Sequence, residues 1–195
     1  MIDNLITKVK GFFLSPAETF RQSRNDEFPS VFVYFGILLL INAVLSALIA
    51  ALGMAVMPET FGMSFGLAVP VMVFLIMLVG GCIATLIFAV WLHLWVYLLG
   101  GRKGIMQTIN AVIYGSTPRL LLGWMPFVGI LFTLWSLILG VLGVSELQEL
   151  GTGKAALAVI IAVIIPLIVI ILIAAWFMTS VMTVTALPVA PNNIG

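Results

Sequence analysis

The chain has 195 residues, of which 63% are hydrophobic and 8% charged, and its net charge is +1; mean hydropathy is +1.30. Soluble domains run to roughly 45–50% apolar and about 25% charged, so a soluble globular protein, a disordered chain and a nucleic-acid binder are excluded. The single cysteine, Cys82, excludes a disulfide scaffold, which leaves a small polytopic membrane protein, read as all-α on the apolar runs described below.

Residues 1–28 hold the first cluster of charges. Ile2, Leu5, Ile6, Val9, Phe12 and Phe13 recur at helical spacing, with Asp3, Asn4, Thr7, Lys8 and Lys10 on the other face. The pattern predicts an amphipathic helix lying on the cytoplasmic membrane surface, not a signal peptide with a plain apolar core. Ser15-Pro16-Ala17-Glu18 has the form of a capping box with proline at the first helical position. It would open a second short helix running to about Arg24.

Beyond this segment the charges are sparse. A crossing helix needs about 20 apolar residues for roughly 30 Å of hydrocarbon, and five segments are expected to cross: residues 31–56, 69–99, 105–122, 125–144 and 155–182. The domain plan is a cytoplasmic amphipathic segment 1–28, a five-helix transmembrane domain 29–182 and an external uncharged tail 183–195. Barrel strands alternate polar and apolar residues, whereas Ile160-Ile161-Ala162-Val163-Ile164-Ile165 is apolar throughout. With five spans, Lys8, Lys10, Arg21, Arg24, Arg102, Lys103 and Lys154 fall on one side and Arg119 alone on the other. That asymmetry predicts a cytoplasmic N-terminus and an external C-terminus. Trp91 and Trp95 near one interface, and Trp124 and Trp176 near the other, fit aromatic belts.

The third span carries polarity. Gln107, Asn110, Tyr114 and Thr117 fall on one helical face, with Asn42 of the first span as a candidate partner. Gly115, Ser116 and Pro118 predict a kink or break. Polar side chains in lipid must face protein or water, so two readings stand: a polar groove for a ligand or ion, or a helix held inside the bundle by interhelical hydrogen bonds. In the fourth span Gly129, Thr133, Ser136, Gly140 and Gly143 make a seam of small residues, which lets helix backbones approach closely. Glu59 and Arg119 are the charged side chains assigned to the external side, and are expected to pair or to snorkel to water.

Other chemistries lack their partners. Gly151-Thr152-Gly153-Lys154 has Gln148 and Ala155 where a phosphate loop needs Gly and Ser or Thr. His93 has no nearby Cys, Asp or Glu, and Cys82 has no base to activate it. Ser145 and Gln148 beside Glu146 and Glu149 suggest a second capping box. No catalytic, cofactor-binding or metal-binding residue is assigned, and no cofactor is expected.

Tyr114-x-x-x-Pro118, Pro126-x-x-Gly129, Trp135 and Lys154-Ala155, with Ser15-Pro16-x-x-Thr19-Phe20 upstream, resemble the Yip family of membrane proteins in its prokaryotic-type branch. The resemblance implies five spans with the N-terminus in and the C-terminus out. Eukaryotic members act in early secretory traffic, bind GTPases and assemble with each other. The long cytoplasmic N-terminal region of those members has no counterpart here, which counts against GTPase binding. The expectation is therefore a non-enzymatic protein of the cell membrane, or of internal membranes in a eukaryote, that contacts the bilayer and organises membrane or partner proteins. It would do so as a homo-oligomer or with other membrane proteins. The alternative is a small transporter, channel or lipid-handling protein with a polar path along the third span.

Overall fold

The computed structural model describes the backbone of residues 2–56 and 67–185, and the side chains of residues 4–53 and 67–182. Among the described residues every regular element is helical. The order is α1 (Ile2–Leu14), α2 (Pro16–Gln22), a 3-10 turn at Ser23–Asn25, and α3 (Phe28–Val56). Then α4 (Ala68–Leu75) passes through a π turn at Ile76–Gly80 into α5 (Gly81–Leu98). The rest is α6 (Ile105–Gly115), α7 (Thr117–Leu122), α8 (Val128–Leu147) and α9 (Thr152–Thr185).

Within the described residues, four stretches are long and apolar enough to cross a membrane: Phe28–Gly53, Ala68–Leu98, Val128–Leu147 and Thr152–Met182. Their outward faces carry aliphatic side chains, and Leu48, Ile87, Leu131 and Ile170 are each more than half exposed. Such a continuous apolar exterior suits lipid and would not suit water. Glu59 and most of the expected external tail lie outside the described residues.

The third hydrophobic segment is broken at Ser116 into α6 and α7. Pro118 has no N–H to give the Tyr114 carbonyl four residues back. Thr117 Oγ1 donates to that carbonyl instead, at 2.7 Å. The helix expected as the fourth span starts at Val128, not at residue 125, because Met125–Phe127 forms a tight turn. There the Val128 N–H reaches the Pro126 carbonyl at 2.7 Å, and Phe127 has φ 63°. The last helix contains Pro166, which frees the Ala162 carbonyl, and the Trp91 indole N–H donates to that oxygen at 3.0 Å. Trp91 therefore holds a helix–helix contact in place of a free position in an interfacial belt.

The α6–α7 pair runs antiparallel along the whole of α8, in constant register. A Cβ on Gly129 would collide with the Gly123 carbonyl oxygen. The Arg119 N–H donates to Ser136 Oγ at 2.9 Å. A Cβ on Gly115 would stand 3.0 Å from the Gly140 nitrogen, and one on Gly143 would stand 3.2 Å from Ala111 Cα. Gln148 Nε2 donates to Thr108 Oγ1 at 2.9 Å. Gly129, Ser136, Gly140 and Gly143 of the small-residue seam are thus in close contact with α6–α7 inside one chain. Thr133 is exposed and bonds back to the Gly129 carbonyl, and Gly143 also leaves room for the Phe20 ring.

Candidate functional site

The polar stripe of the third segment meets the chain's own N-terminal helices. α1 and α2 close into a hairpin at Gly11, where a Cβ would strike the Thr19 hydroxyl. The expected capping box is not formed. Ser15 makes no side-chain cap bond, and its carbonyl accepts from Thr19 Oγ1 at 2.9 Å. Glu18 accepts from Gln22 Nε2 at 3.0 Å.

The hairpin presses its aromatic residues into the bundle. Phe12 and Phe20 are fully buried. Their rings lie 4.8 Å apart, and Phe12 stacks on Tyr114 at 5.0 Å. Tyr34 of α3 meets Tyr114 edge-on at 5.2 Å. Part of the face expected to rest on lipid therefore packs on protein: Phe12 is enclosed, Leu5 and Val9 pack against the core, and Ile6 stays 45% exposed.

Polar groups follow the same route inward. Lys8 pairs with Asp26 and donates to Tyr114 Oη at 2.9 Å. The Tyr114 hydroxyl donates to Asp26 Oδ2 at 2.5 Å. One layer deeper, Tyr34 Oη and Thr117 Oγ1 stand 2.8 Å apart. Since the Thr117 hydrogen goes to the Tyr114 carbonyl, Tyr34 is the donor of that bond. Gln107 Nε2 donates to the Arg24 carbonyl at 3.0 Å. Asn110 is buried, with Oδ1 unpaired, and so is Oε1 of Gln107. Asn42 does not join the stripe side chains; its Nδ2 donates to the Leu120 carbonyl at 2.9 Å.

A charged clamp closes this end. Arg21 Nε donates to Glu146 Oε2 at 2.8 Å, and its Nη2 to Oε1 at 3.1 Å. Arg24 Nη1 reaches Glu149 Oε1 at 2.7 Å, and Lys103 Nζ stands 2.5 Å from Glu149 Oε2. The Lys103 hydrogen bond, then the Lys103 and Arg24 charges, hold the Glu149 carboxyl below the usual range. Glu149 has φ 51°, and the Leu150 N–H returns to the Ser145 carbonyl at 3.0 Å. This is a left-handed C-terminal cap of α8, so the segment read as a capping box ends a helix and does not begin one.

Gln148 is a residue whose role the sequence reading missed. It is buried. Its Nε2 donates to the Gly104 carbonyl at 2.8 Å, and its Oε1 accepts from the Lys103 N–H at 3.0 Å. Thr108 Oγ1, its third partner, stands 2.8 Å from His93 Nδ1. One amide thus fixes the α5–α6 loop against the end of α8. The local signal is a lone Gln between two glutamates after an apolar span, an uncharged amide that must find partners once it is buried.

Arg119 lies away from this network. It is exposed at the edge of a cavity between α5, α6, α8 and α9. No described side chain pairs with it, and its expected partner Glu59 lies outside the described residues.

Long apolar helices, an aliphatic exterior and a charged seal at one end define a multi-pass helical membrane protein. The Yip1 domain matches residues 10–189, and the chain belongs to the Yip family. Neither a curated protein nor a solved structure matches it.

Proposed function

We propose that this chain is a non-enzymatic, prokaryotic-type Yip protein of the cell membrane that organises membrane or partner proteins, through self-association or binding to other membrane proteins. The observation that carries this reading is that Gln107, Tyr114 and Thr117 bond to the N-terminal segment and to α3. A conduit would need those groups facing a solute. The charged clamp instead gives one end of the bundle a fixed surface built from α1, α2, the α5–α6 loop and the end of α8.

The reading includes five crossings, with the N-terminus inside and the C-terminus outside. The antiparallel register of α6–α7 along α8 supports the fifth crossing. Residues 105–122, as helix, would reach about 27 Å. Lys8, Arg21, Arg24 and Lys103 gather in the clamp end, which is the pattern of a cytoplasmic face.

Reconstitution into liposomes tests the reading. Ion, solute or lipid movement is expected to stay at protein-free levels. Gln107→Leu and Asn110→Leu are expected to alter thermal stability or assembly. The transport alternative has its own support in the unpaired acceptors of Gln107 and Asn110. Flux lost in both variants and kept in Lys10→Ala, a change at an exposed position, would establish that alternative instead.

A further inference from the structure

On the side of α6 away from the N-terminal hairpin lies a cavity of about 340 Å³. Ligand sites span roughly 300–1,000 Å³, so it is large enough to hold a guest. Its floor is Leu92, Gly115 and Val159, all buried, and its mouth is Ala84, Arg119 and Thr133, all exposed. The mouth opens among side chains such as Ile83, Ile87, Ile130 and Leu134, which are each more than half exposed. What enters from such a surface is a lipid chain.

The cation at the mouth sets the headgroup. The Arg119 backbone is fixed to Ser136, eight residues into α8, so it sits about 12 Å along that helix from its start. A guanidinium at that depth is costly without an anion. Of the described carboxylates, Asp26, Glu146 and Glu149 are paired at the opposite end of the bundle, and Glu18 and Glu27 belong to the N-terminal segment at that same end. Arginine binds phosphate through two parallel hydrogen bonds.

We propose that this cavity holds one acyl chain of an anionic phospholipid, with its phosphate on Arg119, in the leaflet opposite the N-terminal helices. The site is independent of the polar stripe and requires no flux.

The test uses the full chain in neutral detergent, titrated with dioleoyl phosphatidylglycerol or dioleoyl phosphatidylcholine and read as bound lipid by native mass spectrometry. The wild type should hold phosphatidylglycerol about tenfold more tightly, the scale of one charge-assisted contact. Arg119→Gln should abolish the preference, and Arg119→Lys should keep part of it. Lys10→Gln, at an exposed position of α1, should leave it unchanged. A Cβ on Gly140 meets nothing within 4 Å, so Gly140→Val should fold and lose both lipids by filling the cavity. Equal wild-type affinity for the two lipids would overturn the proposal, as would a preference that survives Arg119→Gln or equal binding of glycerol phosphate without a tail. Should Arg119→Gln not fold, the wild-type comparison and Gly140→Val still decide. Loss of thermal stability in Glu59→Gln, with no lipid preference in the wild type, would assign Arg119 to an ion pair with Glu59 instead.

Discussion

Two prolines inside the bundle each leave a carbonyl without its helical donor, and the chain supplies the donor differently in each case. Thr117 serves the Tyr114 carbonyl from the next turn. Trp91 serves the Ala162 carbonyl from another helix. A buried acceptor left unpaired costs about 1–3 kcal/mol. Trp91→Phe should therefore destabilise the protein by about that amount, measured by thermal or denaturant unfolding in detergent. In a Pro166→Ala background the new amide takes the Ala162 carbonyl, and the same Trp91→Phe change should cost clearly less; equal costs would refute the pairing. At the clamp, the Glu149 carboxyl is held low by Lys103 and Arg24. A carboxyl with a depressed folded value contributes stability above its unfolded value, roughly 4.3 for Glu, and loses it as pH falls through the folded value. Wild-type melting temperature should thus drop more steeply than that of Glu149→Gln as pH is lowered from about 5 into the acid range.

At the scale of elements, the seam of α8 separates into positions with different demands. Gly115 lies on the backbone of Gly140, at 3.0 Å for a Cβ, while a Cβ on Gly140 meets nothing. Gly115→Ala should cost about 1–3 kcal/mol by overpacking. Gly140→Ala should be neutral or stabilise by up to about 1 kcal/mol through helix propensity. Paired thermal melts would check both, and a tolerated Gly115→Ala with a damaging Gly140→Ala would reverse the assignment. The seam was legible because small residues at helical spacing have one common use in an apolar helix. The break near Ser116 was legible for the equally local reason that Pro118 removes an N–H. The docking of α1 was not legible: an amphipathic stripe looks the same whether it is to cover lipid or protein. The choice lies with Tyr114 and Glu146, far along the chain. Nor could the partner of Gln148 be read, although an unplaced amide beside a helix end is a signal for one.

For the whole molecule, the helices and their order follow from long uncharged runs, since hydrocarbon leaves the backbone few alternatives. The proposed five-crossing arrangement makes a further prediction. In a Cys82→Ala background, Phe127→Cys lies in the exposed α7–α8 turn, and Lys154→Cys lies at the exposed start of α9. An impermeant thiol reagent should reach the first only from outside and the second only from inside. Modification of both from the same side would refute the arrangement.

The clamp also constrains how the protein is made. Arg21 and Glu146 are 125 positions apart, as are Arg24 and Glu149. The ribosome delivers the hairpin long before the helices that will hold it. During that interval Phe12 has Phe20 beside it but not yet Tyr114, and a bilayer face would be the nearest further apolar refuge. An amphipathic pattern could thus serve twice, with lipid covering the apolar stripe before the bundle does, and in the finished bundle Phe12 is the wedge. Docking of the hairpin then waits on two later arrivals: Tyr114 of α6, which receives Phe12 and Lys8, and the end of α8, which receives Arg21 and Arg24.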